Sequence, residues 1–219
     1  MDRHEFILEE EKRALRTLPP GSCLVHATNC LGVWGAGIAL EIRDIFPAAY
    51  SQYQEFCEKE FKQGTGSSSS HASSSRNSSQ GKLAAGRCLI IPPQKEDVDS
   101  GGSPRGIFVV CLFTSYGYGR GTARKPGRDP KSLIVEQTLL ALEDFRSQVG
   151  GDAMVSDNIQ GRELEMQDDR DRDQDQDRMR VIFSPKFNSG LFGVPWEETA
   201  GQIEKAFQGW DGRWIILTL

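Results

Sequence analysis

The sequence predicts an α/β fold, a mostly parallel sheet with helices packed on both of its faces. Two observations carry this. Along the 219 residues, short apolar segments of strand length alternate with segments of helical period, as in strand–helix–strand crossovers. Three of the apolar segments also run straight into loops rich in glycine and polar residues, at 26–37, 115–121 and 188–193. Strands of an open parallel sheet end in this way at a ligand crevice.

The elements follow in order. Residues 5–18 show helical spacing, with Ile7, Ala14, Leu15 and Leu18 on one face and a stop at Pro19, Pro20 and Gly21. Segment 1–21 is therefore expected to be a charged, helical N-terminal piece ahead of one domain spanning 22–219. "CLVHA" at 23–27 reads as a buried strand. After the first glycine loop, Ile38, Ile42, Ile45 and Phe46 mark a short helix that ends before Pro47. Tyr50, Tyr53, Phe56 and Cys57 mark another. Residues 64–82 are serine-rich, cannot bury a core, and are expected to be disordered.

"RCLIIPP" at 87–93 is a strand, "EDVDSGGSPRG" a turn or hairpin loop, and "IFVVCLFTS" at 107–115 a second strand. Residues 130–146 are helical, with Pro130 suited to a first turn. A second polar insert at 150–180 ends in "DDRDRDQDQDRMR" and is also expected to be disordered. "RVIFSPKF" at 180–187 is a strand, Ile203, Ala206 and Phe207 mark a helix, and "RWIILTL" at 213–219 is the last strand.

Composition narrows the function. A formal net charge of −5 argues against general binding to nucleic acid or acidic membranes. A small anion remains open, because backbone amides hold phosphate without any net positive charge. Five scattered cysteines without a C-x-x-C pair read as reduced core thiols of an intracellular protein. His4, His26 and His71 have no ligand spacing, so no metal and no cofactor is expected. The N-terminal "MDRHEFILEEEKRALR" has no apolar run and reads as neither signal peptide nor membrane span. The expectation is a cytoplasmic monomer, of a size that also admits the nucleus.

The three loops carry the chemistry. In "GVWGAGIALEI" the glycines permit positive φ and close backbone approach. The amides of Gly35, Ala36, Gly37 and Ile38 would open a helix, and a helix N-terminus attracts phosphate. The glycines spell neither a P-loop nor a G-x-G-x-x-G fingerprint. Asn29 could grip sugar hydroxyls or merely serve a turn. His26 ends a strand that points at the loop; it could act on water or be a satisfied core histidine. "SYGYG" offers Ser115 and the amides of Tyr116 and Gly117 for a second phosphate, with Tyr116 or Tyr118 as an aromatic wall. "NSGLFGVPW" offers Asn188 and the amides of Ser189 to Phe192, with Phe192 against a sugar or base. Two phosphate cradles and polar sugar contacts suggest a diphosphate-bridged nucleotide sugar.

Together, "VHATNCLGVWGAGIA", "CLFTSYGYG" and "FNSGLFGVPWEET" resemble the macrodomain family, in particular its fungal branch of ADP-ribose 1''-phosphate phosphatases. The resemblance covers about 22–219 apart from the two inserts. It implies a three-layer α/β/α fold with a mixed, mostly parallel sheet and ADP-ribose at its crest. It also implies hydrolysis of ADP-ribose 1''-phosphate, a by-product of tRNA splicing, to ADP-ribose and phosphate. Carried over by position, Ala27, Thr28 and Asn29 contact the distal ribose. Trp34, Gly35, Ala36, Gly37, Ile38 and Ala39 form one diphosphate loop. Asn188, Ser189, Gly190, Leu191, Phe192, Gly193 and Val194 form the other. His26 matches the family's catalytic histidine. The family also places an aspartate after the "LFTS" strand, and Asp129 is the only aspartate of 115–130.

Two departures bear on specificity. Macrodomains usually begin with a strand carrying a Gly-Asp pair that anchors adenine, and segment 1–21 has no such pair. A missing strand and weak adenine recognition are therefore expected. A related branch that removes ADP-ribose from proteins places an aspartate where this chain has Phe192, which disfavours that activity here. A non-catalytic reader of ADP-ribose is the alternative that needs the same loops.

Overall fold

The computed structural model describes residues 6–62, 85–99, 104–150 and 181–218. The inserts at 64–82 and 151–180 lie outside the described residues. Six strands form one sheet: β1 Ile7–Lys12, β2 Cys23–Asn29, β3 Cys88–Ile91, β4 Phe108–Ser115, β5 Val181–Ser184 and β6 Arg213–Thr218. Their order is β1-β6-β5-β2-β4-β3. Only the β3–β4 pairing is antiparallel; the other four pairings are parallel. The helices are α1 Gly37–Ile45, α2 Pro47–Cys57, α3 Lys95–Asp99, α4 Lys131–Gly150 and α5 Trp196–Ala206.

The period-2 alternation of the strands sorts the core into two layers. Leu24, Val109, Cys111 and Phe113 face one way, against Ile42 and Ile45 of α1 and Ala49 and Tyr53 of α2. Cys23, Val25, Val110 and Leu112 face the other, against Ala141, Leu142 and Phe145 of α4 and Ile203 and Ala206 of α5. Both sheet faces are thus dry, which is why the strands read as unbroken apolar runs. The architecture is three-layer α/β/α with a mixed, mostly parallel sheet.

The N-terminal segment corrects its expectation. Residues 7–12 form no helix but an edge strand, paired in parallel with β6 from Ile7↔Arg213 to Lys12↔Thr218. Glutamate-rich "ILEEEK" has strong helical propensity, yet the free backbone edge of β6 offers a full ladder and tertiary pairing overrides propensity. Phe6 and Leu8 pack on the α4–α5 side, while Arg213 holds Glu9 and Lys186 holds Glu10. The charges that suggested a solvated helix instead guard an exposed strand edge.

A second correction concerns 95–99, where a short helix, α3, stands in place of a simple turn. Its Asp97 is buried and accepts from the amides of Ala48 (2.6 Å) and Ala49 (3.2 Å) in the first turn of α2. Phe46, at the N-cap of α2, has no side-chain acceptor, so the carboxylate arrives from another element.

β5, β2 and β4 are adjacent and parallel, so their carboxyl ends and the three loops that leave them lie side by side along one crest.

Candidate functional site

The first loop is braced from beneath. The Asn29 amide nitrogen donates to Val33 O at 2.7 Å, and its amide oxygen accepts from Leu31 N at 2.9 Å. The Tyr53 hydroxyl donates to Asn29 O at 2.5 Å. Both ends of the amide serve the loop itself. Thr28 is buried, with its hydroxyl on Leu112 O at 3.2 Å. Ala27 packs on the α4–α5 side of the sheet. Ala27, Thr28 and Asn29 thus shape the strand end.

Trp34 is a buried anchor and no surface wall. Its ring stacks on Tyr53 with centroids 4.9 Å apart and lies 5.2 Å from Tyr50. Fixing Trp34 inward turns Gly35, Ala36 and Gly37 outward, and all three are exposed. Helix α1 opens there, with Ala36 at its N-cap and no side-chain acceptor. The first-turn amides of Gly37, Ile38 and Ala39 are therefore open to an anion. Gly37 sits at φ +58°, a left-handed conformation that suits glycine.

His26 does not face this surface. Its imidazole is 0% exposed, with Nε2 3.9 Å from Cys111 Sγ and its edge on Trp34. Burial lowers its pKa to about 3, so the ring is neutral at pH 7. Its Nδ1 meets no hydrogen-bond partner among the described residues. In this geometry the residue is a core histidine supporting Trp34. β2 alternation points His26 into the α1–α2 layer, beneath the first loop.

The second loop is tied to the first by Cys30 N donating to Tyr116 O at 3.0 Å. Asp129 organises it. One carboxylate oxygen accepts from Tyr116 N at 2.8 Å, and Asp129 N donates to Ser115 Oγ at 2.9 Å. Oriented with its nitrogen toward acceptors, the Gln137 amide donates to the same carboxylate oxygen at 3.2 Å and to Thr114 O at 2.7 Å. Ser115 is wholly buried, and its hydroxyl donates to Gly117 O at 2.9 Å, which braces the loop. A Cβ on Gly117 would lie 2.3 Å from Gly127 O, so only glycine lets the two limbs of this loop touch. Tyr116 packs on the α1–α2 core, and Lys125 covers the Tyr118 ring at 3.9 Å.

The third loop hangs on Asn188, which adopts φ 63°. Its amide oxygen accepts from the Thr114 hydroxyl at 2.9 Å, and its nitrogen donates to the Thr138 hydroxyl at 2.8 Å. The backbone closes with Val194 N on Asn188 O and Gly193 N on Gly190 O, both 3.0 Å. That turn leaves the amides of Ser189, Gly190, Leu191 and Phe192 without a protein acceptor among the described residues. The Ser189 hydroxyl is buried and likewise meets no partner. Phe192 is half-buried and Leu191 exposed. Arg128, from the second loop, donates to Leu191 O at 2.8 Å and locks the loops together.

The site is thus a pair of backbone amide rows, 35–39 and 189–192, on adjacent strand ends. Asp129 lies in the second loop, with its carboxylate on Tyr116 N. Rows of backbone N–H groups can hold phosphate and stabilise phosphoryl oxygens as charge develops. Among the described residues no group of histidine, cysteine or carboxylate side chains is placed to hold a metal ion. A broad concavity of about 620 Å³ lies elsewhere, lined by Arg146, Ser147, Lys205 and Trp210 among others. These residues are at the C-terminal ends of α4 and α5, hence at the end of the sheet opposite the crest, and none of the loops reaches it. Sequence reasoning missed the bracing set Tyr53, Thr114, Gln137 and Thr138, which no local pattern marks. It also missed Arg128, for which a signal existed in the basic run "RGTARKPGR".

No protein-family model matches the chain. It is 36% identical over 195 residues to a protein of Aspergillus fumigatus named ADP-ribose 1''-phosphate phosphatase, covering 86% of this chain and 84% of that one. Its fold is similar to the macrodomain of Mycobacterium tuberculosis DarG, with a TM-score of 0.55 at 15% identity, covering 98% of this chain and 100% of that one. It is also similar to Thermosipho africanus DarTG in complex with ADP-ribose, with a TM-score of 0.52 at 14% identity, covering 90% of this chain and 38% of that one. The fold is that of a macrodomain, and the chain belongs to the family of ADP-ribose 1''-phosphate phosphatases.

Proposed function

We propose that this protein hydrolyses the phosphomonoester of ADP-ribose 1''-phosphate, releasing ADP-ribose and phosphate. The observation that carries the reading is the pair of open amide rows, 35–39 and 189–192, on adjacent strand ends. The diphosphate lies between them. The terminal phosphate then sits at the crest, where amides stabilise its oxygens as a water oxygen bonds to phosphorus and the bond to the ribose oxygen breaks.

Asp129 is the group assigned to take the proton from that water. It is a half-buried carboxylate of the crest with one oxygen fixed by Tyr116 N. His26 acts through Trp34, which it supports, and is a positioning residue. Gly37 and Asn188 set the loop conformations. On the resemblance of its motifs, the protein acts as a cytoplasmic monomer on a by-product of tRNA splicing. Its five buried free thiols fit a reducing compartment.

Phosphate release from ADP-ribose 1''-phosphate by purified protein tests the reading. A second reading, a reader that binds ADP-ribose without turnover, is favoured by the burial of His26. Tight binding with no phosphate release supports it.

A further inference from the structure

We propose that the basic second loop, acting through Arg128, selects the phosphorylated ligand over ADP-ribose itself. This rests on the function proposed above and names the residue that sets its specificity.

Residues 116–131 carry Arg120, Arg124, Lys125, Arg128 and Lys131 against the single carboxylate of Asp129, in a chain whose net charge is −5. That carboxylate is engaged by Tyr116 N. Lys125 is turned onto the Tyr118 ring and carbonyl. Arg128 is directed at the crest. Its Nη1 donates to Leu191 O at 2.8 Å, and the same nitrogen lies 3.1 Å from where a Cβ on Gly193 would stand. Lys131 Cε is 3.6 Å from that point. Two cations therefore flank the loop whose open amides hold phosphate. Among the described residues no carboxylate pairs with Arg128.

A guanidinium has five N–H donors, and the bond to Leu191 O engages one of them. The others are available to an oxyanion in the fork geometry that suits phosphate. The amide rows serve the diphosphate that both ligands share. The 1''-phosphate adds about 1.5 to 2 further negative charges, and this is the part that a net cationic loop distinguishes. Arg128 is exposed, so screening holds the effect to about tenfold in affinity ratio.

The test compares Arg128→Gln and Arg128→Lys with wild type. Calorimetry gives the affinity for ADP-ribose 1''-phosphate and for ADP-ribose at low and high salt, and phosphate release is followed separately. Arg128→Gln is expected to lose about tenfold in affinity for the phosphorylated ligand while ADP-ribose stays within twofold to threefold. The salt dependence of the phosphorylated ligand should flatten. Arg128→Lys should keep most of the preference. Equal weakening of both ligands would make Arg128 a loop brace only and overturn the proposal, as would no change in either. Wild-type turnover is a separate outcome: binding preference without phosphate release would sink the phosphatase reading and leave the selectivity of Arg128 standing.

Discussion

His26 meets Trp34 edge-on, with ring centroids 4.6 Å apart and planes at 77°, and both rings are wholly buried. The contact links the interior of the sheet to the loop that opens α1. It makes the histidine a support for the amide row rather than a member of it.

Burial of His26 makes stability depend on pH. The folded pKa of His26, about 3, lies below the ordinary value of 6.5. The unfolded chain therefore takes up the proton first, and stability present above pH 6.5 is lost as pH falls toward 3. This one group contributes a slope of about 1.4 kcal/mol per pH unit, or about 2 kcal/mol between pH 6.5 and 5. His26→Leu, of similar size, should lose that share of the slope in urea melts at the two pH values. Parallel pH profiles for variant and wild type would mean the imidazole is not buried neutral. At pH 7 the same variant should keep phosphate release within about tenfold. A loss beyond about 100-fold would return His26 to the reacting water.

Asp129→Asn keeps an acceptor for Tyr116 N and removes the charge. Turnover is expected to fall about 100-fold or more, with ADP-ribose affinity within a few-fold of wild type. Phosphate release and calorimetry on the same preparation check both halves. Near-normal turnover would leave Asp129 as a loop brace only.

Gly37→Val should weaken ADP-ribose binding in a folded protein. A Cβ there meets nothing within 4 Å, so crowding is not the cause. The φ of +58° strains a β-branched residue by about 1–3 kcal/mol, and the branch lies over the open amides. Gly209→Val is the control. Gly209 has φ +72°, similar open space, and a place beyond α5 at the far end of the sheet. It should cost similar stability without a change in affinity. Equal affinities for the two variants would contradict the cradle.

The first strand bears on base recognition. β1 is present, so the expectation of a missing strand is withdrawn. Its carboxyl end still lacks a Gly-Asp pair, and Glu11 there is held by Arg13 at 2.7 Å. Among the described residues no Gly-Asp pair offers a carboxylate to the adenine amino group, a contact worth about 1.5–3 kcal/mol. ADP-ribose and its hypoxanthine analogue should compete within a few-fold of each other. A strong preference for adenine would place another acceptor at that end of the sheet.

Most of the sheet was legible because its strands are buried on both faces and apolar throughout. The crest was legible because glycines cluster where three such strands end. What failed to read had physical reasons. The glutamates of β1 carry helical propensity, and only the free edge of β6 explains their strand. The helix at 95–99 exists because Asp97 satisfies α2, a partner some fifty positions away in sequence. Asn29, Ser115 and Trp34 are residue types that ligands also use, and only their hydrogen bonds and burial reveal them as braces. Arg128 was readable as charge, but its place beside Leu191 was not.

In the proposed reaction the open amide rows at the crest hold a phosphomonoester as it is hydrolysed. Phosphate release from ADP-ribose 1''-phosphate, measured on the purified protein with and without a chelator, tests it most directly. Release that the chelator leaves unchanged, and that Asp129→Asn lowers about 100-fold or more, is expected. Tight binding of ADP-ribose with no release, or release that stops when the chelator is added, would contradict it.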